Sequence, residues 1–337
     1  MTPNPSPATA KPPQFPTHTH PRVWLITNST TPIGLSTARH VLAHGDSVVL
    51  GFGEGDVGGK DGRREGRGDE FWEFWDEVRG REEWRGRCRR VGLDGRSLIG
   101  TVEELAATPR TQTLVREQFE TNFFGPVNVI KAALPQMRKK QSGHILILTG
   151  ISGHLGTPGL GMYCASGWAL EGFCDSLAYE IAPFDIKLTI IQPTMEIGIL
   201  TNKIVSAPSL PQYEREVNPA PLFKGIIGGL LSRIQQPQQD GHNKSILASD
   251  RITSLYPKLP GEMKASLIAE TINAVTAIGG HDNPPARHIV GHEGVSSVKE
   301  KLKTVSEELE DFVEVSCAVD IDHDVDAPEG ANGSAAE

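Results

Sequence analysis

Short apolar runs alternate with amphipathic segments along this chain, and that alternation constrains the fold more than any other feature. Val23–Ile26 (VWLI), Ser47–Phe52 (SVVLGF), 144–148 (HILIL) and 187–191 (KLTII) read as buried strands, with Arg287–Val290 as a last short one. After the first run comes a polar turn, and Pro32 then opens a segment in which Ile33, Leu35, Ala38, Val41 and Leu42 recur near helical spacing. Proline suits a first helical turn and Gly45 suits the exit. Strand, turn, helix and strand in that order make the opening βαβ unit of a parallel α/β fold.

The later helices read as plainly. Residues 112–140 form a long periodic segment crossing Gly125-Pro126, where a bend is expected. Residues 163–182 place Leu170, Phe173, Leu177 and Ile181 on one face, and 262–278 and 296–312 are further helices, the last of them amphipathic. Residues 194–260 are loop-rich and read as a lid. Its Leu200, Leu222, Ile226, Ile227 and Leu230 suit an apolar substrate, and an amphipathic structural helix explains them equally well.

Residues 53–96 break the pattern. They are dense in Gly, Arg, Asp and Glu and read as a degenerate charged insertion, with Phe71, Trp72, Trp75 and Val78 along one face of a surface helix. One domain is therefore expected over 22–312. A proline-rich tail at 1–21 and an acidic tail at 313–337 frame it, both with the composition of disordered segments.

Composition excludes several functions. A net charge of −9 leaves no basic footprint for nucleic acid. The four cysteines, Cys88, Cys164, Cys174 and Cys317, form no C-x-x-C pair, which argues against a zinc site and a disulfide scaffold and suits a cytoplasmic protein. No apolar run reaches the ~18–20 residues of a membrane-spanning helix. The N-terminus lacks the apolar core of a secretory signal.

The stretch FETNFFGPVNVIKAALPQMRKKQSGHILILTGISGHLGTPGLGMYCASGWALEGFCDSLAYEIAPFDIKLTIIQP closely resembles the catalytic half of the short-chain dehydrogenase/reductase family. In that family it reads as a helix with an active-site Asn, a strand ending in Ser, a Tyr-x-x-x-Lys helix and a strand ending in Pro-Gly. The resemblance covers roughly 22–312 and is poor over 53–100. It implies a single-domain, Rossmann-like doubly wound parallel sheet, with a nicotinamide cofactor, NAD or NADP, across the C-terminal edge of the strands. It further implies a small lipophilic alcohol or ketone as substrate, and a homo-oligomer paired through the helices that carry Asn122 and Tyr163.

Residue by residue, the resemblance gives Tyr163 the role of catalytic acid/base and Asn122 that of holding a water in the proton relay. The serine expected thirteen residues before Tyr163 is replaced by Gly150. Ser152, two residues on, is a conceivable substitute, with Thr149 as another group to orient substrate. Four residues after Tyr163 stands Gly167 instead of lysine. Free tyrosine has a pKa of about 10, so work near pH 7 requires lowering it by up to about three. Gly167 supplies neither the charge nor the hydrogen bond, and the family reaction is expected to be slow unless another cation enters.

The cofactor loop departs as well. The family's Thr-Gly-x-x-x-Gly-x-Gly falls on Thr27, Asn28, Ser29, Thr30, Thr31, Pro32, Ile33 and Gly34, of which Thr27 and Gly34 match. Asn28 tolerates a left-handed backbone, and Ser29, Thr30 and Thr31 offer hydroxyls near a helix N-terminus. Pro32 has no N–H. Pro193 closes the strand at 187–191 on the cofactor side. NAD-versus-NADP preference is not readable.

The family's Asn-Asn-Ala-Gly segment after the fourth strand is absent. Either Gly92-Leu93-Asp94-Gly95 is its remnant, or VGLDGR ends the third strand with Asp94 beside the adenine. No apolar run before Gly92 fills a central strand, which favours the second reading. The sheet then lacks one inner strand, leaving exposed edges and a void. Two further readings stand beside the enzyme: a catalytically inactive binding or regulatory scaffold, and a truncated gene product.

Overall fold

The computed structural model describes residues 20–27, 29–52, 68–84, 88–92, 97–194, 197–200, 203–214, 217–234, 251–255, 257, 259–279 and 281–318. Strand β1 (Val23–Ile26) leads into helix α1 (Pro32–Ala43) through a capped turn, in which Thr31 Oγ1 accepts the Gly34 N–H at 3.0 Å. Pro32 occupies the first turn, where its missing N–H costs nothing. Gly45, at φ +100°, turns the chain into β2 (Ser47–Phe52). Helix α2 (Gly68–Gly80) and β3 (Cys88–Gly92) follow, and β1, β2 and β3 form a parallel sheet in that order, with Val23 opposite Ser47 and Val48 opposite Cys88.

This half corrects the sequence reading of 53–96. Helix α2 is a crossover that buries Phe71, Phe74 and Val78 against Leu35, Val41 and Leu42 of α1 and Leu50 of β2. The buried stripe runs through Phe74, and Trp75 is only half-buried. The pairing of β3 with β2 also makes 88–92 the third strand, as the second of the two alignments requires. Asp94 itself lies outside the described residues.

The second half holds α3 (Val102–Ala106), α4 (Pro109–Phe119), α5 (Gly125–Lys140), β5 (Gly143–Leu148), α6 (Gly161–Ile181), β6 (Ile186–Pro193), α9 (Gly261–Gly279) and β9 (Arg287–Val290). A parallel sheet runs β5-β6-β9, with Ile145 opposite Leu188 and Ile191 opposite His288. Leu170, Cys174, Leu177 and Ile181 of α6 pack with Ile130 of α5 onto Ile145, Ile147 and Ile190. Parallel strands buried on both faces read as continuous apolar runs, which is why HILIL and KLTII were legible.

The two sheets do not join. Among the described residues β1 pairs only with β2, and β5 only with β6. Strand β4 (Ser97–Ile99) pairs instead with β7 (Ile204–Ser206), which follows the short α7 (Ile197–Leu200) and pairs antiparallel with β8 (Thr253–Leu255). Among the described residues no strand fills the place between β1 and β5, and Val23 and Leu25 on β1 are 72% and 45% exposed. Helix α9 bridges the halves. Its Ile268 and Ile272 pack on Ile33, while Ala274 and Val275 pack on Ile191 with Trp24 of β1 and Leu146 of β5 alongside.

In the lid, α8 (Phe223–Ile234) buries Ile227 with Leu200, Ile99 and Leu160, so both Ile227 and Leu200 serve the core. After β9, α10 (His292–Asp311) is followed by α11 (Val313–Cys317). Those five residues are helical where the sequence reading began the acidic tail, and 319–337 lie outside the described residues, as do 1–19. No described helix is long and apolar enough to cross a membrane.

Candidate active site

Tyr163 sits in the first turn of α6, partly buried against Leu160, Ile199 and Ile204. Asn122 comes from a π-helical turn, Glu120–Phe124, inserted between α4 and α5. Such turns carry an extra residue and re-aim side chains. Helical structure thus runs on through Gly125-Pro126, with Pro126 in the first turn of α5. Asn122 Nδ2 donates to Ser166 Oγ at 3.4 Å, and that hydroxyl donates to the Tyr163 carbonyl at 2.8 Å. Thr121 Oγ1 donates to Asn122 Oδ1 at 3.2 Å. The π turn and the start of α6 are thereby tied together.

Ser152 lies in a single 3-10 turn, Ile151–Gly153, directly after β5. Trp168 Nε1 donates to the Ser152 carbonyl at 2.8 Å, fixing this turn to α6. Beneath it is Glu171, 3% exposed. Its carboxylate accepts the Thr149 hydroxyl at 2.9 Å and the Gln192 amide at 2.9 and 3.0 Å. Arg287 Nε stands 3.8 Å from it and gives its terminal nitrogen to Asp175 at 2.6 Å. Gly153 packs so closely on Glu171 that a Cβ there would overlap the carboxylate. One buried acid therefore joins the ends of β5 and β6 to α6. The Thr149 proton is committed to it rather than to the cavity.

These elements surround a cavity of about 480 Å³ between β1 and β5. Of the sequence-derived candidates, Tyr163, Asn122, Ser152, Thr27, Thr31, Ile33, Gly34 and Pro193 all line it. Ser29 does not. It is fully buried, its N–H goes to the Gly51 carbonyl at 2.5 Å, and its hydroxyl has no hydrogen-bond partner. Asn28 lies outside the described residues. The cavity also opens against Trp24, Leu25 and Ile26 on one side and Leu146, Ile147 and Leu148 on the other, so the gap between β1 and β5 is continuous with the cleft around Tyr163.

Among the described lining residues the only charged one is Glu120. Gly167 faces the cavity, and a Cβ there would meet nothing within 4 Å. The site thus has room for a long side chain at the lysine position and no cation in its place. Among the described residues, no group of three or more His, Cys, Asp or Glu is placed to hold a metal.

A family model for short chain dehydrogenases matches residues 99–204. Over those residues the chain is similar to short-chain dehydrogenases. A 3-ketodihydrosphingosine reductase of Bacteroides thetaiotaomicron is 43% identical over 109 residues, 32% of this chain and 39% of that protein. Oxidoreductase BOA17 of Botryotinia fuckeliana is 25% identical over 307 residues, 88% of this chain and 98% of its own length. A crystal structure of a short-chain dehydrogenase from Streptomyces avermitilis superposes with a TM-score of 0.62 at 23% identity, covering 90% of this chain and all of that one, and shows the common fold. The match to the Bacteroides reductase thus spans about two fifths of that protein's length.

Measured against the family pattern, the dinucleotide end of the site is the more altered. The donors around α1 are turned inward, with Gly34 N–H on Thr31, Ser29 N–H on Gly51, and none on Pro32. What remains for a ligand is Thr27 and Thr31 on the cavity wall, since the Ser29 hydroxyl is buried away from the cavity. These groups fit a polar ligand such as a nicotinamide nucleotide. Sequence reasoning did not single out Trp168, Glu171 or Gln192. A glutamate among the buried positions of α6 was the available signal for this network.

Proposed function

We propose that the protein is an NAD(P)-dependent oxidoreductase interconverting an alcohol and a carbonyl on a small lipophilic substrate. The observation that carries this reading is that Tyr163, Asn122 and Ser152 line one cavity with Thr27 and Gly34 of the altered nucleotide loop. Thr27, Thr31 and Pro193 are the residues to hold the cofactor, which supplies the hydride. Tyr163 holds the proton exchanged with the substrate oxygen. Asn122, oriented by Ser166 and Thr121, positions a relay water, and Ser152 orients the carbonyl. The apolar walls from Ile26, Leu148 and Ile191 suit a lipophilic ketone. The likeness to the Bacteroides protein, named as the reductase of a lipophilic ketone, supports the same class. A homo-oligomer belongs to this reading.

The test is saturable binding of NADPH or NADH, followed by thermal shift and nucleotide fluorescence, with carbonyl-dependent cofactor oxidation as the activity. No binding at millimolar cofactor overturns the proposal. Tyr163→Phe is expected to abolish turnover, and unchanged turnover removes Tyr163 from the mechanism. A second reading, a scaffold without catalysis, is favoured by Gly167 and the absence of a cation among the described lining residues. Cofactor binding without turnover is its signature.

A further inference from the structure

Helix α10 is rooted in the body by Gly294 and Val298, both buried, but from Lys299 through α11 to Ala318 every residue is exposed. Apolar residues nevertheless continue along it in a strict pattern. Val295, Val298, Leu302, Val305, Leu309 and Phe312 are separated by alternating steps of three and four, the spacing of a heptad seam. The outer part of that seam is bare, with Leu302 61%, Leu309 63% and Phe312 62% exposed. Apolar side chains in this register on a projecting helix need a second helix to cover them.

The charges say which helix. Lys299, Lys301 and Lys303, with the single Glu300 among them, lie toward the root, and Glu307, Glu308, Glu310 and Asp311 toward the tip. This order opposes the helix dipole, since the last turn carries carboxylates and no basic residue. It costs the isolated helix stability, but it complements a copy of itself running in the opposite direction, where each basic root meets an acidic tip. A parallel pair sets like on like. With Leu302, Val305 and Leu309 as seam positions, Lys301 and Glu308 occupy the flank that meets its own kind in an antiparallel pair. Two symmetric Lys301–Glu308 contacts then form across the seam. A membrane surface is the poorer occupant, because residues 299–314 hold three lysines against six carboxylates.

We infer that α10 is a self-association surface on which a second copy of this chain docks antiparallel along Leu302, Val305, Leu309 and Phe312. The face is separate from α5 and α6, through which the family resemblance pairs copies. A seam of this length forms a weak, concentration-dependent contact.

Sedimentation equilibrium of the full chain is expected to give twice the mass of the L302D/L309D variant at high protein concentration. Circular dichroism is expected to report an unchanged fold, since both side chains are exposed. K301E is expected to weaken the association about three- to tenfold, and K301E/E308K to return it to within about threefold of the parent. Equal masses for the parent and L302D/L309D overturn the inference and assign any oligomer to another face. Failure of the double charge exchange to restore association overturns the antiparallel arrangement. A chain that stays monomeric yet floats with neutral phosphatidylcholine vesicles, through a face lost in L302D/L309D, overturns the self-association in favour of a membrane.

Discussion

The indole of Trp168 donates to the carbonyl of Ser152 at 2.8 Å, so the turn that replaces the family's serine is held by the residue next to the one that replaces its lysine. Trp168 is half exposed. A neutral hydrogen bond is worth about 1 kcal/mol, so Trp168→Phe is expected to cost little more than that in stability. If Ser152 orients the substrate, a loosened turn misplaces it. We therefore expect roughly a tenfold loss of kcat with KM changed much less. Steady-state kinetics beside a thermal melt separate the two, and a fall in Tm with unchanged kcat assigns Trp168 a structural role alone.

Gly167 lies in the interior of α6 with open space where its side chain would be. A mid-helix glycine costs about 1 kcal/mol relative to alanine. Gly167→Ala is expected to raise stability by about 0.5–1 kcal/mol without raising activity. Gly167→Lys adds a cation one helical turn from Tyr163, in a cavity whose described lining has none, and is expected to raise carbonyl reductase activity tenfold or more. Comparing the two variants by melting and turnover isolates charge from helix propensity. Equal activities would show that the missing lysine is not what limits the reaction.

Much of this arrangement was legible because it is local. Pro32 and Gly45 mark the ends of α1, and the apolar runs of β5 and β6 announce a parallel sheet buried on both faces. What escaped the sequence is non-local or short. Glu171 gains its meaning from Thr149 and Gln192, which fold onto it from the ends of two different strands. Strands β4, β7 and β8 have three residues each, too few for a period to show. In α2, the surrounding Gly, Arg and Glu masked the 71–74–78 stripe that buries Phe74. Pro126 drew attention to itself, whereas the irregularity of this helical run is the π turn just before it.

Neighbouring residues on β1 are expected to behave oppositely because, among the described residues, no strand pairs with its open edge. Leu25 is 45% exposed, so Leu25→Ser is expected to cost about 0.5 kcal/mol or less, where an inner-strand leucine would cost several. Trp24 packs against the clusters on both sides of the gap and donates to Asp46 at 2.8 Å, so Trp24→Ala is expected to cost about 3–5 kcal/mol. Gly279→Ala places a methyl group against the Trp24 ring and Leu146, with an expected loss of about 1–3 kcal/mol. Urea unfolding of the three variants checks the pattern. A large cost for Leu25→Ser would mean that β1 is covered after all.

Acid sensitivity follows from His144 on β5. Burial, aided by the nearby Lys187, lowers its pKa from the ordinary 6.5 to about 4, outweighing the bond to the Gly279 carbonyl that favours the charged form. The ring is held at Thr189 Oγ1, 3.0 Å away. In the unfolded chain the same ring takes up its proton near pH 6.5, while the folded protein resists until about pH 4. The unfolded state therefore binds more protons across that window, and folding stability falls as pH drops through it. Above pH 6.5 the neutral ring's contribution is complete. Because the ring is only partly shielded, the loss attributable to it is about 1–2 kcal/mol. His288, whose pKa burial also lowers, adds to the same slope. His144→Asn is expected to be less stable than the parent at pH 7.5 but to lose less on going to pH 4.5. Melting curves at the two pH values test this, and parallel losses in both proteins would show that His144 does not carry the acid response.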